Sequence, residues 1–121
     1  MFRVIIAGGR DFTDAKLLFE KMDFYLRDIY DEIVIVCGMA RGADMLGLQY
    51  ATQHGYAVHK YPADWDTHGK SAGYKRNCQM AENADALVAF WDGQSKGTQH
   101  MIEYAKKCGL KVRVVRYVQK S

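Results

Sequence analysis

Ala86-Leu87-Val88-Ala89-Phe90-Trp91-Asp92-Gly93-Gln94-Ser95-Lys96-Gly97-Thr98 runs from a short apolar stretch through a polar, glycine-containing loop into a helical pattern that begins near Gln99. A buried strand that passes through a tight loop into a helix is the repeating unit of parallel α/β sheets. In this loop the glycines allow close backbone approach and the first N–H groups of the helix have no intrahelical acceptor. Ser95, Lys96 and Thr98 add two hydroxyls and a cation. The segment therefore points to a bound anion, phosphate above all. Its lysine precedes the second glycine, so the spacing is not the GxxxxGK(S/T) of an ATPase loop.

Working outward, the same unit repeats. Apolar, β-branched runs at residues 3–7, 32–37, 57–61, 86–91 and 111–117 alternate with helical patterns. Such continuous runs suit a sheet covered on both faces. Ala15, Leu18, Phe19, Met22, Leu26 and Ile29 recur at helical spacing, with Thr13 and Asp14 as caps. A second helix is expected over 43–54, ending at Gly55 and turning Leu46, Tyr50 and Ala51 inward. A third is expected over 71–83 and a fourth over 98–107, the latter ending at Gly109 with Met101, Ile102, Ala105 and Cys108 facing inward. Right-handed crossovers then give a Rossmann-like three-layer sandwich with a five-stranded parallel sheet. Strand order 3-2-1-4-5 is favoured, which puts the ligand crevice between strands one and four; order 2-1-3-4-5 would move it between strands one and three.

The bulk composition narrows the function. The chain has 121 residues, 49% of them hydrophobic, and one proline. This fits one domain over residues 1–121, without linkers or low-complexity tracts. Seventeen basic and 14 acidic side chains give a net charge of +3, spread along the sequence. That suits a small anion and argues against a nucleic-acid surface. The basic C-terminal residues Lys106, Lys107, Lys111, Arg113, Arg116 and Lys120 read as a solvated face. Cys37, Cys78 and Cys108 are odd in number and unclustered, so they read as buried free thiols rather than disulfide or zinc ligands. His54, His59, His68 and His100 have neither metal spacing nor a nucleophile partner, and no metal site is expected. No apolar stretch has the length of a signal peptide or membrane span, and a reducing cytoplasm is the default expectation.

The unusual residues collect after the strands. Gly8-Gly9-Arg10-Asp11 follows the first, Gly38-Met39-Ala40-Arg41-Gly42-Ala43-Asp44 the second, and Asp64-Trp65-Asp66-Thr67-His68-Gly69-Lys70 the third. Together with residues 92–98 they share one edge of the expected sheet. Each alone is explained by turn chemistry, but turns do not require Arg10, Arg41, Lys70 and Lys96 to gather on one rim. Gly8, Gly9, Gly97 and Thr98 are the best-placed phosphate contacts. Arg10 and Arg41 face two alternatives, ligand phosphate or the loop carboxylates Asp11 and Asp44. Trp65 or Trp91 offers a stacking surface, although a strand-ending tryptophan commonly packs in a core. In Ser71-Ala72-Gly73-Tyr74-Lys75-Arg76-Asn77-Cys78-Gln79-Met80, helical spacing puts Gly73, Asn77 and Met80 on one face beside Arg76. That is a polar edge toward the ligand or, alternatively, an exposed basic helix.

Assembled, these residues give the chain a resemblance to the YspA-like group (DUF2493) of the SLOG superfamily, relatives of the LOG and DprA proteins. It rests on Gly8-Gly9-Arg10-Asp11-Phe12, Gly38 to Asp44, Pro62-Ala63-Asp64-Trp65 with Gly69-Lys70 and Ala72-Gly73, Arg76-Asn77 with Met80, and Gly97-Thr98. The resemblance spans most of the chain and implies a Rossmann-like fold holding a nucleotide or nucleotide-derived ligand, with self-association as a homodimer or higher oligomer. LOG enzymes release a base from a nucleoside monophosphate and carry a GGxGTxxE signature whose glutamate takes part in cleavage. They also carry a helix arginine that Arg76 is similar to. Here Met101 stands where that glutamate would be, and Asn77 replaces the lysine that usually follows the arginine.

Methionine can neither move a proton nor stabilise an oxocarbenium charge. Glu103, two residues on, points to the outer helix face. The first expectation is therefore a binding domain for a nucleotide-like ligand, such as an NAD- or ADP-ribose-type signal, acting as sensor or sequestering protein. The alternative is an enzyme cleaving an N-glycosidic or phosphoribosyl bond, with Asp11, Asp44, Asp64 or Asp92 replacing the glutamate. DprA-like binding of single-stranded DNA ranks last, because the chain lacks a basic aromatic groove.

Overall fold

The computed structural model describes residues 1–118; Lys120, counted above among the basic C-terminal residues, lies outside the described residues. Five parallel strands form one sheet: β1 (Phe2–Gly8), β2 (Ile33–Cys37), β3 (Ala57–Lys60), β4 (Ala86–Trp91) and β5 (Lys111–Arg116). Their order is β3-β2-β1-β4-β5, which settles the topology in favour of 3-2-1-4-5. Val4 pairs with Ile35 on one side and Ala86 on the other, so β1 is central. The connecting helices are α1 (Ala15–Leu26), α2 (Ala43–His54), α3 (Trp65–His68), α4 (Ala72–Glu82) and α5 (Lys96–Lys107). Among the described residues no helix is long and apolar enough to cross a membrane.

Alternation along β1 divides the core into two layers, as a strand period of two requires. Val4 and Ile6 pack with Leu18, Met22 and Leu26 of α1 and with Tyr50 and Ala51 of α2. Ile5 and Ala7 pack with Met80 and Ala81 of α4 and with Met101, Ile102 and Ala105 of α5. Gly47 lets α2 lie directly on β1, since a Cβ there would meet Ile6 Cβ at 2.9 Å.

The helix ends follow local chemistry. Asp14, rather than Thr13, caps α1 by accepting the Leu17 N–H at 3.0 Å. Gly55 ends α2 in the left-handed region at φ 70°, and Tyr56 N–H returns to the Ala51 carbonyl. Helix α5 starts at Lys96, two residues before the expected Thr98, because Ser95 is its cap. The stretch after β3, expected as a loop, forms α3 and a 3₁₀ turn over Gly69–Ser71; Asp64 nucleates it by accepting the Thr67 N–H at 3.1 Å.

Two expectations are corrected. The sheet is not covered throughout: most side chains of edge strands β3 and β5 are exposed. Of the cysteines only Cys37 is buried; Cys78 is half-buried, and Cys108, the C-cap of α5, is exposed rather than inward.

Candidate functional site

At the carboxyl edge of the sheet, where β1 and β4 send their chains to opposite faces, a cleft of about 750 Å³ opens. Its size suits a small organic ligand, for which ~300–1,000 Å³ is usual. Gly8, Gly9, Arg10 and Asp11 line it from the loop after β1. Ala40, Arg41 and Asp44 come from the β2–α2 connection, Trp65 and Lys70 from the segment after β3. Helix α4 contributes Gly73, Tyr74, Arg76, Asn77 and Met80; the β4–α5 segment contributes Asp92, Ser95, Gly97, Thr98 and Met101. Four of the proposed ligand residues stand outside this lining: Gly38, Gly42, Asp64 and Lys96.

The β4–α5 loop is shaped by its own hydrogen bonds. Asp92 accepts the N–H groups of Gln94 and Ser95, both at 2.8 Å, and these bonds hold its carboxyl below the usual range. Ser95 Oγ accepts the Thr98 N–H, and the Ser95 carbonyl accepts from Gln99 N and Trp91 Nε1. Among the described residues the N–H groups of Lys96 and Gly97 are left without an acceptor. Thr98, 5% exposed, sets its hydroxyl 3.2 Å from Ser95 Oγ. A Cβ on Gly97 would have no neighbour within 4 Å, so the first turn of α5 faces open space. Lys96 is exposed beside it.

The β1 and β2 loops interlock. The Gly9 carbonyl accepts the N–H groups of Phe12 and Ala43, each at 3.2 Å. Gly42, at φ 83°, lies so close to the β1 loop that a Cβ would sit 2.7 Å from Arg10 Cα. Gly42 is thus a joint between loops, and Met39, at φ 64°, is a left-handed non-glycine residue in the same turn. Asp11 is held by the Tyr117 hydroxyl at 2.8 Å. Arg10 lies over the Trp65 ring with its guanidinium carbon 5.7 Å from the centroid.

Charged side chains from the start of α2 and from α4 are buried around Gly38, at the carboxyl edge of the sheet. Asp44, 5% exposed, accepts the Ala40 N–H at 3.1 Å through Oδ2. Burial foremost raises its pKa from 3.8 to about 6, against the opposing pull of the Ala40 bond and of Arg76 and Arg10. Arg76, 9% exposed, donates Nη1 to the Gly38 carbonyl and Nε to Asn77 Oδ1 at 3.1 Å; burial is the largest influence on it and lowers its pKa. Asn77 in turn donates Nδ2 to the Gly97 carbonyl at 3.2 Å and lies 3.3 Å from His100 Nδ1. With Asn77 Oδ1 taken by Arg76, Nδ2 is the donor and His100 is the neutral tautomer protonated on Nε2. Burial lowers the His100 pKa in the same sense. Helix α4 is therefore no exposed basic helix; its Arg76-Asn77 edge ties the β2 loop to the first turn of α5.

This wiring decides which groups are free to act. Among the described residues the carboxylate ion pairs are Arg3–Asp85, Arg27–Asp28 and His54–Asp23, so Arg10 and Arg41 pair with neither Asp11 nor Asp44. Lys70 is likewise unpaired and exposed. Of the four rim carboxylates, Asp11 is occupied by Tyr117, Asp64 caps α3 and Asp92 is bound within its own loop. Asp44 alone is buried beside the cleft. Met101 is 1% exposed and lines the cleft, while Glu103 lies on the outer face and accepts from Gln99 Nε2 at 3.2 Å. Trp91 is drawn away from the cleft by Ser95 and Arg116; Trp65 lines it. His68 is exposed against Lys75 Nζ and does not line the cleft. Among the described residues no three His, Cys, Asp or Glu side chains gather as metal ligands.

Reading the sequence missed His100, Tyr74 and Tyr117. His100 stands one helical turn after Gly97, a spacing that puts both on one face. Its contact with Tyr74, 4.6 Å between ring centroids, joins two helices and leaves no trace in linear spacing. Tyr117 reaches Asp11 across 106 residues.

No solved structure matches the chain. The Gene 61 protein of Mycobacterium phage D29 is 37% identical over 118 residues, covering 93% of this chain and 94% of the phage protein. Residues 2–68, which hold the β1 and β2 loops and the start of the third polar segment, match the YspA, cpYpsA-related SLOG family. The chain belongs to the YspA, cpYpsA-related SLOG family.

Proposed function

We propose that the chain is one ligand-binding domain whose cleft takes a nucleotide or nucleotide-derived molecule, serving as a sensor or sequestering protein. One observation carries this reading: the unpaired cations Arg10, Arg41 and Lys70 line the same cleft as the acceptorless first turn of α5. Cations in a fork geometry together with free N–H groups match phosphate oxygens. Trp65, 49% exposed, supplies a flat surface for a base. Three free cysteines accord with a reducing, cytoplasmic setting.

Thermal melting across a panel of nucleotides tests the proposal. Ligand-induced stabilisation is expected for phosphate-bearing members, and Arg41→Ala with Lys70→Ala should abolish it while leaving the melting point of the free protein unchanged. Both side chains are exposed and make no ion pair among the described residues. A panel that gives no shift contradicts the reading.

A second reading, hydrolysis of a nucleotide's glycosidic bond, is favoured by Asp44 alone. Its carboxyl lines the cleft and is raised to about 6 by burial, the range in which a carboxyl group can both take and give a proton near neutrality. Release of free base from nucleoside monophosphates, lost in Asp44→Asn, would establish turnover. Intact nucleotide after prolonged incubation leaves binding as the function.

A further inference from the structure

Arg116 and Tyr117, at the end of β5, reach the two loops that flank the cleft. Tyr117 N–H extends the ladder by donating to the Trp91 carbonyl at 3.1 Å. Arg116 lies over the Trp91 ring, 5.3 Å from its centroid, and against Gly93, where a Cβ would come within 2.7 Å of the guanidinium carbon. Tyr117 packs on the other face of the sheet. Its ring meets Phe12 edge-on at 4.8 Å between centroids, and Phe12 rests on Phe90 at 5.1 Å.

This packing aims the Tyr117 hydroxyl at the β1 loop. A Cβ on Gly9 would collide with that hydroxyl and come within 2.7 Å of Asp11 Oδ1, so Gly9 makes room for the Tyr117–Asp11 pair. Burial foremost, and then the Asp11 carboxylate, raise the Tyr117 pKa above its ordinary value. The hydroxyl therefore keeps its proton and donates to Asp11 Oδ1 at 2.8 Å.

The bond matters because of what Asp11 would otherwise meet. Asp11 and Arg10 are chain neighbours in the same cleft wall, and Arg10 has no carboxylate partner among the described residues. A carboxylate beside a guanidinium pairs with it when no other donor holds it, and that pair competes with ligand phosphate for the same cation. The other three rim carboxylates are held by backbone N–H groups: Asp44 by Ala40, Asp64 by Thr67, Asp92 by Gln94 and Ser95. Asp11 alone is held by a side chain, brought from 106 residues away.

We infer that Tyr117 is a positioning residue for the cleft: its hydroxyl occupies the Asp11 carboxylate and so keeps the Arg10 guanidinium free for an anionic ligand. This rests on the reading that the cleft binds nucleotide phosphate and adds what keeps one of its cations unpaired. The end of β5 thereby becomes part of the site without touching the ligand.

Calorimetric titration of the full chain with ADP, together with NMR of the free protein, tests it. Tyr117→Phe keeps the ring against Phe12 and removes only the donor. ADP affinity is expected to fall about three- to fivefold, the worth of an exposed ion pair that the ligand must first displace. In an Asp11→Asn background the same change should cost nothing, because no carboxylate is left to compete. Without any ligand, the Arg10 side-chain Nε–H should shift in Tyr117→Phe and stay in place when Asp11→Asn accompanies it. Wild-type ADP affinity in Tyr117→Phe, an equal loss in both backgrounds, or an unmoved Arg10 Nε–H would each overturn the inference, the second because it makes the tyrosine a support of the fold alone. If the wild type binds no ADP, the nucleotide reading fails, and the Arg10 signal still decides whether Tyr117 governs the pairing of Asp11.

Discussion

Asp44 and Arg76 stand on either side of Gly38, where a Cβ would meet Asp44 Oδ2 at 2.8 Å and Arg76 Nη1 at 2.6 Å. Only glycine leaves room for both charges at that point. Their burial has a measurable consequence for Asp44. Its folded pKa, about 6, exceeds the ordinary 3.8, so the folded chain holds this proton more tightly than the unfolded chain does. The stabilisation from this group is full below the ordinary value and is lost as pH rises through about 6. Comparing urea unfolding of the wild type and Asp44→Asn from pH 4 to 7, the wild type should lose stability relative to the variant by about 2–3 kcal/mol. A constant difference across that range would contradict the buried-carboxyl account. The sequence named both residues as rim groups, yet their burial arises at the carboxyl edge, where the start of α2 and the side of α4 reach the Gly38 turn from opposite faces of the sheet, and no spacing within either segment reports that meeting.

At the scale of elements, the first turn of α5 holds Gly97, a glycine that costs helix stability and faces open space. Gly97→Ala should raise unfolding free energy by about 0.5–1 kcal/mol, the usual gain from alanine within a helix, while weakening nucleotide binding because the new methyl group enters the cleft. Gly55→Ala, at a left-handed helix end with equal room, should instead cost about 1 kcal/mol and leave binding unchanged. Opposite signs from one chemical change would separate a glycine kept for a ligand from one kept for a turn; matching signs would remove that distinction. The periodicities of α1 and α2 and the apolar runs of β1, β2 and β4 were legible because each segment's own pattern matches the face it buries. The edge strands misled: the Lys111-Val112-Arg113 alternation marks partial exposure, and in Ala57-Val58-His59-Lys60 only Val58 packs against the core. Helix α3 was missed because four residues carry no helical period, although Asp64, which caps it, was in view.

For the molecule as a whole, strand order carries the functional argument. With β1 between β2 and β4, the loops after β1 and β4 diverge to opposite faces, and the cleft opens where they part. Four polar segments far apart in the chain meet there because parallel strands deliver every strand-to-helix turn to one edge. That much could be read from the order of elements and the placement of glycine and arginine. The Gly38–Arg76–Asn77–Gly97 chain of hydrogen bonds, which fixes the loops relative to one another, could not, since it depends on which helix faces meet. The proposed binding of nucleotide phosphate at this edge rests on free N–H groups and unpaired arginines. An NMR titration of the isotope-labelled protein with ADP is its most direct test. The account expects saturable shifts of the Lys96 and Gly97 amides and of the Arg76 side-chain Nε–H, with the opposite edge around Gly55 silent; no saturable shifts, or shifts confined to that opposite edge, would contradict it.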